Sequence, residues 1–286
     1  MSRFSITLAV LLALAHGHSV WGQTWTINTG TSAVLLNADA FADDFTVPGF
    51  DMDVQTDGTF QFPFVDLMGG NFTIGENISA SALDGAVHSD SASVVKANDG
   101  SSLSIEWRAA TDLEMSGDTN YVGNAHSDLG STLEVELSGL IPGKYYEVSY
   151  SYGVDAIAIE DHEGALEDPE DAASSLSFTF GTAPMINANA MAGPSAGFLP
   201  VDGTGGSGSY LLLATAAPIG LIVDVSAISN ASFADPPIQG SPPEDGAGSE
   251  GFGFLNFRAV LVPEPSSLFL LLAAGLMLGV RRRRRE

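Results

Sequence analysis

The 286-residue chain contains no cysteine. Disulfides, thiolate metal sites and cysteine nucleophiles are thereby excluded together. Basic residues are nearly as scarce where they would matter. Of the ten Lys and Arg, five are Arg281 to Arg285 and one is Arg3, so only Lys96, Arg108, Lys144 and Arg258 remain between Gln23 and Val262. Set against 33 acidic residues, those four leave that stretch with a net charge of −29. Nucleic-acid affinity rests on neutralising phosphates with Lys and Arg, so no nucleic-acid partner is expected. Acidity of this density keeps a surface solvated and draws divalent cations or basic surfaces.

Histidine-metal and phosphate-binding signatures are also missing. Outside the N-terminal apolar segment the histidines are His88, His126 and His162, none in His-Glu-x-x-His and none beside another at metal-ligand spacing. There is no Walker-type Gly-Lys-Ser/Thr. Gly203-Thr204-Gly205-Gly206-Ser207-Gly208 formally matches G-x-G-x-x-G. A phosphate cradle must open a helix, whereas Ser209-Tyr210-Leu211-Leu212-Leu213 follows with strand character, so the glycines read as a flexible loop.

Long apolar runs are confined to the two ends. Met1-Ser2-Arg3 precedes an apolar stretch from Phe4 to Ala15, and Val20-Trp21-Gly22 then offers small residues to a signal peptidase. This is the tripartite plan of a secretory signal, with cleavage expected between Gly22 and Gln23 and Gly17 as the alternative. At the far end Leu268 to Val280 is uncharged. As a helix it would rise about 20 Å, short of a hydrocarbon core of about 30 Å, and Val262 to Ser267 would lengthen it. Arg281, Arg282, Arg283, Arg284 and Arg285 follow at once. Each arginine costs on the order of 3 kcal/mol to insert, so five form a cytoplasmic stop and put the preceding residues outside.

Val262-Pro263-Glu264-Pro265-Ser266-Ser267, then the apolar run, then the arginines, resembles the PEP-CTERM sorting signal. That resemblance implies a substrate motif, Pro263, Glu264 and Pro265, recognised by an exosortase, an integral-membrane transpeptidase-like enzyme. It also implies loss of the tail and release or attachment outside, typically in matrix-forming Gram-negative bacteria. Physically, the prolines disfavour helix and hold the motif extended where the apolar helix begins.

Between the ends, short strands alternate with Gly, Pro, Asn, Asp and Ser clusters. The best strand pair is Thr132 to Leu137 with Tyr145 to Tyr152, each alternating apolar and polar positions as a half-buried sheet requires. Ile141-Pro142-Gly143-Lys144 between them fits a type II turn. Leu103 to Arg108 and Leu176 to Phe180 alternate likewise. Tyr210 to Ala214 and Leu221 to Val225 read as a hairpin about Pro218 and Gly220, Phe41 to Phe64 adds further strands, and Phe252 to Val262 makes a long final strand. Pro236 to Gly251 reads as a loop. The segment LSGLIPGKYYEVSY is similar to the L-x-G-L-x-P-G-x-x-Y-x-V pattern of fibronectin type III modules, and similar stretches occur in jelly-roll domains of sorted envelope proteins. The acidic run from Asp155 to Asp171 is the one place suited to a cofactor: Asp161, Glu163, Asp168 and Asp171 could supply oxygen ligands to Ca²⁺, although their spacing matches no EF-hand.

The expectation is therefore an all-β protein, a β-sandwich or jelly roll over residues 23–262, flanked by a signal peptide at 1–22 and a transmembrane sorting tail at 263–286. Its role is expected to be that of an exported cell-envelope or extracellular-matrix protein, structural or adhesive and non-catalytic. The alternatives are a carbohydrate-binding module with a polysaccharide partner and, third, a secreted hydrolase.

Overall fold

The computed structural model describes residues 23–28, 31–44, 50–60, 72–82, 87–98, 100–114, 121–160, 171–193, 203–233 and 246–263. Thirteen strands fall within them: β1 (Thr24–Ile27), β2 (Ala33–Asp44), β3 (Phe50–Phe60), β4 (Phe72–Ala82), β5 (Val87–Asn98), β6 (Ser102–Glu114), β7 (Tyr121–Ser138), β8 (Tyr145–Glu160), β9 (Asp171–Phe180), β10 (Ile186–Ala192), β11 (Thr204–Leu213), β12 (Ile219–Phe233) and β13 (Gly246–Leu261). Among the described residues no helix is long and apolar enough to cross a membrane.

The strands form two antiparallel sheets. One runs β10-β9-β12-β7-β2-β3, with β1 pairing the end of β7 beyond β2. The other runs β11-β8-β13-β6-β5-β4. Strands β6 to β13 alone give the orders β6-β13-β8-β11 and β7-β12-β9-β10, the two interlocked Greek keys of a jelly roll. The N-terminal strands then widen both sheets on one side.

Period-two alternation holds through the interior. In β9 the burial alternates along the whole strand, and Leu133, Val135 and Leu137 of β7 face the same core as Leu103, Ile105 and Trp107 of β6. The core changes character along its length. Trp25, Phe178, Phe180 and Phe257 fill one part, with the Phe178 and Phe257 rings edge to face at 5.4 Å. A second cluster is built from Ala38, Ala40, Ala42, Ala80, Ala82, Ala125 and Ala231 around Val87 and Leu113. Where side chains are this small, a serine reaches across. Ser91 on β5 donates to the Asp128 carbonyl of β7, 3.2 Å away, and Ser127 on β7 donates to the Asp90 carbonyl of β5.

Several expectations are corrected. The strands on either side of Ile141–Lys144 are not sheet neighbours, because β7 belongs to one sheet and β8 to the other. The turn does have type II character, with Gly143 at φ +79° and the Lys144 amide donating to the Ile141 carbonyl at 3.2 Å, but it carries the chain between sheets. The hairpin expected about Pro218 and Gly220 fails in the same way, since β11 and β12 lie in different sheets. Gly203–Gly208 is not a loop: Thr204 to Gly208 opens β11 and pairs with β8. Gly246 to Gly251 is strand rather than loop, and Asp155 to Glu160 finishes β8, so the acidic connection is shorter than the sequence implies.

Candidate functional site

The junction with the C-terminal tail is built by β13. This strand lies between β6 and β8 and pairs with both, down to Leu261 opposite Tyr146. The Val262 amide then donates to the Tyr145 carbonyl at 2.8 Å, and Pro263 leaves the sheet exposed. At the same end Gln23 is packed against Gly100, where positive φ and the absence of a side chain let the Gln23 carbonyl approach. Ser101 beside it accepts a hydrogen bond from the Ala259 amide at 2.8 Å. The chain on either side of the described domain therefore leaves from one end, here called the base.

Tight turns close the base. The β7–β8 turn is joined to the end of β11 by the Gly143 amide donating to the Ala214 carbonyl and the Ala214 amide donating to the Lys144 carbonyl, both at 2.9 Å. Buried Tyr146 accepts from the Ile141 amide at 3.1 Å through its phenol oxygen, the tyrosine-corner arrangement of β-sandwiches. Leu140 is buried beneath the turn, whereas Ile141 is 47% exposed.

Of the residues singled out from sequence, Gln23, Pro263 and Asp171 are placed. Gly22, Glu264, Pro265 and Arg281 to Arg285 lie outside the described residues, as do the signal segment and the apolar tail. The calcium candidates Asp161, Glu163 and Asp168 also lie outside them. Asp171 opens β9 on the outer face, opposite Asn230 of β12. Among the described residues no three His, Asp or Glu side chains converge to hold a metal ion.

Of the three histidines singled out from sequence, His162 lies outside the described residues and the other two are divided between the sheets. His126 on β7 bonds through Nδ1 to Asn230 Oδ1, and His88 on β5 lies 3.9 Å from Asp90. Asp90 is 3.8 Å from Arg108, whose Nε donates to Glu250 at 2.7 Å. Serines are plentiful inside the sandwich, but they face away from both rings. Thr111, Ser229 and Ser249 bond to one another at 2.7 to 3.0 Å, and the Ser249 hydroxyl also lies within hydrogen-bond reach of the main-chain carbonyls of Asn230 and Asp171, at 2.9 and 3.2 Å. In this trio the hydroxyls are satisfied by hydroxyls and carbonyls and tie the sheets together; no base stands among these partners to activate one.

The aromatic side chains decide what the glycine run is for. Tyr150 and Tyr152 of β8 point between the sheets, stacked against each other and edge-on to Phe178. A β-carbon at Gly206 would lie 2.8 Å from the Tyr152 phenol oxygen, and one at Gly208 would overlap the Tyr150 phenol. The glycines of β11 make room for two rings; they cradle no phosphate. Tyr210 stacks on Tyr150 at 5.2 Å, and burial together with Tyr150 pushes its pKa up to about 12. These tyrosines are half-buried with their rings packed against the core, which counts against them as a sugar platform. A different aromatic is open: Phe254 on β13 leans over Gly153 of β8, where a β-carbon would lie 2.7 Å from its ring, and it faces solvent beside Glu106 of β6. Sequence reasoning passed over Phe254, although its even position in a strand with buried odd positions was a usable signal.

Residues 261–285 match the PEP-CTERM protein-sorting motif. The motif implies an exported protein that an exosortase processes at the cell surface. No curated protein is similar enough in sequence to count as a relative. Among solved structures, a carbohydrate-binding module of the β-sandwich superfamily aligns over 85% of this chain and 98% of its own at 8% identity, with a TM-score of 0.18. A structure of infectious bursal disease virus, Gx strain, aligns over 85% of this chain and 76% of its own at 8% identity, with a TM-score of 0.14.

Proposed function

We propose that this chain, which bears a sorting motif at residues 261–285, is a non-catalytic structural or adhesive protein of the cell envelope or extracellular matrix. In this reading residues 1–22 are removed by signal peptidase after Gly22. The tail anchors the precursor through 268–280 with Arg281 to Arg285 on the cytoplasmic side, and an exosortase acts at Pro263-Glu264-Pro265. The observation that carries the reading is the direct continuation of β13 into the motif. Ladder bonds in an antiparallel sheet lie across the strands, so tension transmitted along β13 loads its bonds to β6 and β8 together in shear. A domain held by such a strand resists being pulled from its anchor, which suits attachment better than turnover.

Intact-mass spectrometry of the native protein tests this. Both termini should be shortened, and replacing Pro263, Glu264 and Pro265 with alanine should leave the tail on and the protein in the membrane fraction. Activity confined to the cytoplasm for a reporter fused after Val262 would reject the export reading.

Phe254 supports a second reading, in which the outer face of the β13 sheet binds a neutral polysaccharide. An exposed ring seated over a glycine presents a stacking face, and Glu106 and Asn256 on the same sheet face supply hydrogen-bonding groups. Affinity electrophoresis in neutral glucan gels should show retardation that Phe254→Ala abolishes. Equal mobility of wild type and variant would reject it.

A further inference from the structure

The two ends of the sandwich differ in charge. Strands β3, β5, β7, β9, β11 and β13 end at the base, and the segments that continue from the first five are 61–71, 99–101, 139–144, 181–185 and 214–218. With the 28–32 turn between β1 and β2, they contain Asp66, Asp99 and Lys144 as their charged residues. Of the segments joining strands at the opposite end, 45–49 carries no charged residue, 83–86, 115–120 and 194–202 carry one acid each, 161–170 five and 234–245 three, with no Lys or Arg in any. In a chain of net charge −29 over residues 23–262, the connecting segments at the end where β13 runs into the tail are therefore the less acidic ones.

That end also exposes apolar side chains. Ile141 is 47% exposed, Met185 60% and Leu211 71%; Tyr145, Leu213 and Val260 stand beside them. Tyr145 pairs with Leu213 across β8 and β11, and Glu147 separates Leu211 from Val260. An amphipathic tyrosine with aliphatic neighbours and a lysine is the mixture that settles at a membrane–water interface. The tether is short. Pro263 is still attached to the domain and the apolar run begins at Leu268, so at about 3.4 Å per residue the base lies within roughly 17 Å of the start of that run.

From these observations we infer that, in the membrane-bound precursor, the base of the sandwich rests on the phospholipid surface through the turns 139–144, 181–185 and 214–218. The acidic end then points away from anionic headgroups, which would repel it. This rests on the tail being a membrane anchor, as proposed above. Its consequence is positional: a domain lying on the bilayer keeps Pro263-Glu264-Pro265 within the interfacial layer, at the depth where an integral-membrane enzyme can take it.

The lack of cysteine makes the test clean. Single-cysteine variants Ile141→Cys, Met185→Cys and Asn124→Cys of the full chain would be labelled with a fluorophore and reconstituted in vesicles of phosphatidylethanolamine and phosphatidylglycerol. Asn124 is an exposed position on β7 toward the opposite end. With headgroup-nitroxide lipid, quenching at 141 and 185 should exceed that at 124 severalfold. Ala217→Cys replaces either base variant that fails to give wild-type circular dichroism. Equal quenching at all positions in chains that float with the vesicles would overturn the inference. Failure to float would instead overturn the anchor reading on which it stands.

Discussion

Gly208 of β11 lies directly against the phenol of Tyr150 on β8, with no space for a β-carbon between them. Gly208→Ala should therefore cost about 1–3 kcal/mol, the usual range for overpacking. Tyr150→Phe removes the atom nearest the clash, so the double variant should lose less than the sum of the two single ones. Urea midpoints of the four proteins give the coupling; strict additivity would show that the ring moves away freely.

Gly251 and Gly220 offer a contrast of the same substitution. A β-carbon at Gly251 would run into the Ala173 carbonyl of the facing sheet, whereas at Gly220 there is open space. Gly251→Ala should destabilise by about 3 kcal/mol, because backbone has to move. Gly220→Ala should be neutral or stabilise by up to about 1 kcal/mol through the unfolded chain. Thermal denaturation of the two variants is the measurement.

The phenol of Tyr146 is a single hydrogen-bond partner for the Ile141 amide. Tyr146→Phe should cost about 1 kcal/mol while leaving the buried ring in place. Amide hydrogen exchange should quicken at Ile141 and in the adjoining turn, with β8 itself unaffected.

Alkaline pH should weaken the fold through Tyr210. Its pKa is about 12 in the folded protein against 10.0 for the free side chain, so the folded state holds the proton more tightly. The resulting stabilisation is complete below pH 10 and is lost as pH rises from there through 12. Tyr210→Phe should flatten that part of the stability profile, measured as the urea midpoint from pH 9 to 11.5.

Much of the fold was legible because alternation survives in sequence. Leu133, Val135 and Leu137, or Leu176, Phe178 and Phe180, declare both a strand and its buried face. Alternation does not declare partners. Pro142 and Gly143 fit the same turn whether the next strand lies alongside or crosses to the facing sheet, and here it crosses. Strand β5 was hidden for another reason: its inward positions include Ser89, Ser91 and Ser93, which read as polar although all three are buried. The glycines of β11 misled in the opposite sense, since their meaning lies in Tyr150 and Tyr152 some fifty residues earlier in the chain. The sorting motif was legible because a contiguous signal needs no tertiary context; Phe254, Gly153 and Glu106 become a surface only once β13 lies between β6 and β8.

The place of β13 also governs when the molecule can assemble. It is the last of the described strands in chain order, yet it fills the gap between β6 and β8, so until it arrives the β4-β5-β6 and β8-β11 halves of that sheet have no seam between them. Such late, long-range closure makes for slow folding. A newly made chain would consequently stay loose and threadable until β13 had emerged, and would harden only as the segment carrying its address came into view.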